Sequence, residues 1–71
     1  MWVMEQGIVM DKIKQIRNEL GYTLEKLAEK AGISVGYLCH LEKGTRKNPS
    51  RKTMERISKA LNKTIVQVFF N

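Results

Sequence analysis

The sequence predicts an all-α domain of five short helices packed as one compact unit, and three observations carry that prediction. Apolar residues recur three and four positions apart in successive stretches, the period of a helix with one buried face. Ser or Thr stands where each later helix should begin, and Gly or Asn where the helices should end. These types respectively accept from the unpaired amides that open a helix and tolerate the left-handed backbone that closes one. Finally, 71 residues hold one domain with little room for a second. The expected division is a tail over 1–8 and the domain over 9–71.

Residues 1–8, MWVMEQGI, have no helical repeat and contain Gly7. They read as a mobile tail, because termini are poorly ordered unless tied down. The alternatives are an extra packing or dimer-contact segment through Trp2 and Val3, or a true start at Met10. The first helix should run from Val9 or Asp11 to Glu19, with Val9, Ile13, Ile16 and Leu20 on one face and Gly21 as its stop.

Residues 23–43, TLEKLAEKAGISVGYLCHLEK, read as two helices joined by a tight turn. Thr23 is a candidate N-cap, Leu24, Leu27, Ala28 and Ala31 form a narrow apolar stripe, and Gly32 follows it directly. Ser34 can cap the next helix, which turns Leu38 and Leu41 inward and ends at Gly44. Gly32-Ile33-Ser34 is too short for antiparallel packing, so the two helices should cross steeply, as in a helix-turn-helix.

Outward on that next helix lie Ser34, Val35 and Gly36, then Cys39 and His40 one turn later. A recognition helix presents its N-terminal residues to base edges in the major groove. A Ser hydroxyl can donate or accept there, and a Val methyl can pack on a thymine methyl. Gly36 lowers helix propensity by about 1 kcal/mol, which makes poor sense as scaffold and good sense where the backbone approaches a ligand. His40 can donate to a guanine or a phosphate, or simply face solvent. Cys39 and His40 are adjacent and diverge around the helix, so they make neither a nucleophile–base pair nor a metal site, and no other His or Cys exists to complete one.

The charge is concentrated. The chain carries +6, and residues 41–63 hold eight basic residues against Glu42 and Glu55, while residues 1–40 are balanced. Such a concentration beside a helix-turn-helix points to phosphate binding, where each neutralised phosphate releases counterions. A lone cysteine cannot form an internal disulfide, which favours a reduced, cytoplasmic setting. No apolar run approaches the roughly 20 residues that cross a bilayer, and the start of the chain is a poor signal peptide.

The loop GTRKNPS (44–50) leads to Ser50, a candidate cap for a fourth helix reaching about Leu61 and burying Met54, Ile57, Ala60 and Leu61. Arg51 and Lys52 in its first turn oppose the helix dipole, a placement that suits a bound anion. Asn62 can take the left-handed residue, and Thr64 can cap a final helix, TIVQVFF.

LxxLAxxAGxSxxYLxxLExG, as it stands from Leu24 to Gly44, closely resembles the XRE, Cro and lambda-repressor-like helix-turn-helix transcriptional regulators, over roughly residues 9–70. The resemblance implies a pair between Arg17 and Glu42, at the end of the third helix. An exposed pair would contribute under about 1 kcal/mol; the expectation is the buried version. Tyr37 is implied at a phosphate, its alternative being a half-buried aromatic that closes the turn. Arg46, Lys47 and Asn48 are implied in a loop that grips the sugar-phosphate strand. Leu24 departs from the family, where a Gln often anchors a phosphate; Thr23 and the amides of the second helix could still face one. In the last helix Ile65, Val68 and Phe69 align inward, leaving Val66 and Phe70 as surplus for a dimer contact or as a frayed end.

The implied function is a sequence-specific double-stranded DNA-binding transcriptional regulator, a small repressor or autoregulator. As a homodimer it would set two third helices in successive major grooves of a roughly palindromic operator, about 34 Å apart. No cofactor, metal, small-molecule ligand or membrane partner is expected. The rivals are an interaction module, such as an antitoxin whose apolar tail binds a toxin, and an enzyme, for which no nucleophile–base set is present.

Overall fold

The computed structural model describes residues 11–44 and 48–70, and among them every regular element is helical. The elements are α1 (Asp11–Glu19), α2 (Leu24–Ala31), α3 (Val35–Lys43), α4 (Arg51–Ala60) and α5 (Ile65–Phe69). The expected tail over 1–8, Val9, Met10, Arg46 and Lys47 lie outside the described residues.

Side-chain caps start four of the helices. Thr23 Oγ1 accepts from the Lys26 amide at 3.0 Å, Ser34 Oγ from Tyr37 and Ser50 Oγ from Thr53, both at 3.1 Å. Thr64 Oγ1 accepts from the Gln67 amide at 3.1 Å while Gln67 Oε1 accepts from the Thr64 amide at 2.9 Å. That reciprocal box satisfies two orphan donors at once. It matters at α5, because a helix of five residues is far too short to persist alone.

The stops are equally local. Gly32 adopts φ +71°, and the Ile33 amide reaches back to the Ala28 carbonyl at 3.0 Å, closing the last turn of α2 and aiming the chain into α3. Asn62 takes φ +60°, a conformation its short polar side chain tolerates.

The core draws on every helix. Ile13, Leu27, Ala28, Ala31, Leu38, Leu41, Ile57, Leu61, Val68 and Phe69 are all buried. Each of the larger side chains contributes roughly 1.5–3 kcal/mol on leaving water. Helix α2 packs on α3 and α4, α1 packs on α3 and α5, and α5 closes the ring against α4. The two helices of the motif are therefore braced from opposite sides, α2 by α4 and α3 by α1.

Five positions differ from the sequence expectation. Leu20 is 43% exposed, because α1 ends at Glu19 and the chain turns through Gly21 at φ +74°, so the helical repeat does not carry its side chain inward. Phe70 is half-buried against the core rather than surplus. Its extended backbone, φ −129° and ψ 148°, leaves the helical path that would have turned it outward. Met54 and Ala60 are only partly buried, whereas Ser58 is buried beside Ile57.

Candidate nucleic-acid interface

The placement of α3 rests on two anchors. Leu38 and Leu41, three residues apart, bury its inner face. At its last turn Glu42 receives Arg17 Nε at 2.8 Å and a second guanidinium nitrogen at 3.0 Å. The third nitrogen of Arg17 donates to the Tyr22 carbonyl at 2.9 Å, just ahead of α2. The side chains of the pair are only 11% and 7% exposed. This two-pronged geometry matches the planar fork of a guanidinium to a carboxylate. The hydrogen bond to Glu42 holds the Arg17 pKa above its ordinary value, against the opposing effect of burial and with smaller help from the charges of Glu42 and Glu25. The cation is thus fixed throughout the usable pH range, and its stabilisation is lost only as pH rises through that raised value.

Opposite these anchors is the surface assigned to bases. Ser34, Val35 and Gly36 are all exposed at the start of α3, Val35 by 38%. Among the described residues a Cβ built on Gly36 would meet nothing within 4 Å, so none of them requires glycine there. His40 is also exposed, one turn along the same face. Cys39 is half-buried and stands less open than the sequence reading placed it, being next to the buried Leu38 around the helix.

The capping geometry gives two hydroxyls a direction. Thr23 and Ser34 each accept from a backbone amide and are exposed, which leaves their protons available for donation. A phosphate oxygen, which only accepts, complements Thr23. By contrast, Ser50 gives its proton to Thr53 Oγ1 at 3.0 Å, so that cap is spoken for on both sides. Tyr37 is half-buried against the core.

At the start of α4, Asn48 is exposed and Pro49 is buried, which anchors the exit of the loop. Arg51 donates to Glu55 at 3.2 Å, one turn along the same helix, with side chains 82% and 53% exposed. That pair is open to water and salt and contributes little, so Arg51 can exchange it for a phosphate. Sequence reasoning missed this competitor, although the i, i+4 spacing was visible. The described residues bring no three His, Cys, Asp or Glu side chains together as a metal site. None of the helices is long and apolar enough to cross a membrane.

Comparison with known proteins agrees with this fold. The family model described as helix-turn-helix matches residues 13–68. The transcriptional regulator SinR of Bacillus subtilis (strain 168) is 40% identical over 58 residues, covering 82% of this chain and 52% of SinR. The chain therefore spans about half the length of that relative. A crystal structure of SinR in complex with DNA superposes with a TM-score of 0.79 at 40% identity, over 82% of this chain and 92% of the other. The restriction-modification controller protein C.AhdI from Aeromonas hydrophila gives a TM-score of 0.79 at 25% identity, over 83% and 88%. With four-fifths of its length inside that match and all five helices in place, the chain belongs to the helix-turn-helix family.

Proposed function

We propose that this chain is a sequence-specific reader of double-stranded DNA that acts as a small transcriptional regulator by occupying its operator. The observation that carries the proposal is the exposed start of α3, whose Gly36 serves no packing need, on a fold shared with a SinR structure held on DNA. In this reading Ser34, Val35, Gly36, Cys39 and His40 face base edges. Thr23, Tyr37, Arg46, Lys47, Asn48 and Arg51 hold the phosphate strand and fix the register. Binding excludes competing proteins from the same stretch of duplex, which is repression when that stretch is a promoter. The cytoplasm is the matching location.

The same proposal includes a homodimer. Val66 is 63% exposed on α5, an apolar side chain with no place in the monomer core, and Phe70 borders it half-buried. A two-fold contact there would present two copies of α3 to inverted half-sites. The test is selection from a random duplex pool at roughly physiological salt. Two inverted half-sites about one helical turn apart are expected. A single half-site would remove the dimer, and no enrichment at all would remove sequence reading.

A further inference from the structure

The second half of α4 carries a basic surface that the DNA-reading proposal does not use. A groove of about 490 Å³ opens between the end of α4 and the start of α5, with Ser58, Lys59, Lys63, Thr64 and Gln67 in its lining. A second cleft of about 380 Å³ lies on the other side of Lys59, floored by Ala31 and Ala60 and walled by Lys30 and Arg56. Lys59 belongs to both, so the two open clefts flank it as one basic tract.

The tract is rich in donors that lack acceptors. The ion pairs among the described residues are Arg17–Glu42 and Arg51–Glu55, and neither involves Arg56, Lys59 or Lys63. Glu55, the one carboxylate at the groove, already receives Arg51. Gln67 Oε1 and Thr64 Oγ1 both accept backbone amides, which leaves the Gln67 amide protons and the Thr64 hydroxyl proton facing outward as donors. Beneath them Ser58 is 2% exposed, and its Oγ has no partner. Lys30 and Lys59 close their helices, where a cation is favoured in any case. That reason does not extend to Arg56 or Lys63.

We propose that this tract docks an acidic peptide segment of a partner protein, whose carboxylates meet Arg56, Lys59 and Lys63. A peptide fits better than a second length of duplex on two grounds. Its donors line two separate clefts on either side of Lys59, which suits the individually placed carboxylates of a peptide. It also lies beyond the DNA-holding end of α4, with Lys59 about 12 Å along the helix from Arg51. The surface would let an operator-bound molecule recruit, or be captured by, another protein.

The test uses a fluorescein-labelled peptide with Glu along one helical face and Leu along the other, read by anisotropy at roughly physiological salt. Saturable binding that survives saturating duplex DNA is expected. The K59E/K63E variant should weaken the peptide by about tenfold or more while its affinity for duplex and the salt dependence of that affinity stay near those of the parent chain. The K14E/K26E variant, with the same change in net charge elsewhere, should leave the peptide bound. Absence of peptide binding overturns the proposal, as does equal weakening by K14E/K26E, which would reduce the effect to net charge. A K59E/K63E salt slope shallower by about two would assign the tract to nucleic acid instead. Duplex binding by the parent chain is measured on its own, so failure of DNA reading is distinguishable from failure of peptide docking.

Discussion

Arg17 touches three separate parts of the chain: its own helix, the Tyr22 carbonyl ahead of α2, and Glu42 at the end of α3. Truncating it would strand a carboxylate that is only 7% exposed and leave a carbonyl without its donor. Arg17→Ala should therefore cost about 3–5 kcal/mol, lowering the melting temperature by more than about 10 °C in a domain of this size. A calorimetric shift within a degree of the parent would show that the pair contributes nothing. Gly36 carries the opposite expectation. Because a methyl there meets nothing within 4 Å, Gly36→Ala should raise stability by up to about 1 kcal/mol. The same methyl should reduce affinity for the selected operator if bases approach the backbone at that position. Higher stability with unchanged DNA affinity would move base reading away from Gly36.

At the scale of elements, the punctuation residues made the sequence legible. Thr23, Ser34, Ser50 and Thr64 each cap the helix expected of them, and Gly32, Gly44 and Asn62 each take positive φ at a helix end. Capping is a contact over three residues, so it can be read along a single chain. What failed depended on where a helix stops. Leu20 was expected inward and Phe70 outward on a continued helix, but each sits one residue past the last helical turn, where backbone direction overrides periodicity. Ser58 was passed over because a polar residue gives no sign of burial in the sequence. The Thr64–Gln67 box was present as T-x-x-Q and went unread. It holds an element that supplies Val68 and Phe69 to the core. Thr64→Ala should thus cost about 1 kcal/mol, seen as faster amide exchange in α5 before any other helix. Uniform acceleration across all five helices would mean that α5 has no separate opening step.

For the whole molecule, the roles of charge and of assembly can be separated in solution. Lys47→Ala should weaken binding to every duplex alike and flatten the dependence of log K on log salt by about one. A change confined to one sequence would instead make Lys47 a base reader. Val66→Glu should keep the fold, since this residue is 63% exposed, yet leave the protein monomeric by sedimentation. It should also abolish the preference for paired over single half-sites; if that preference persists, the two-fold contact lies elsewhere. The exposure of Ser34, Val35, Gly36 and His40 was readable from the chain because one helix carries them. The Arg17–Glu42 clasp spans 25 residues and came from family resemblance rather than local pattern.

The empty space beside Gly36 also bears on how such a protein changes over generations. A position where an added Cβ meets none of the described residues can accept a small side chain without a folding defect to select against it. If Gly36 faces bases as proposed, copies of this gene could acquire new target sequences by a single substitution to a small residue there. Rivalry among related regulators would then be settled by which site each one reads, with protein quality control left indifferent to the outcome.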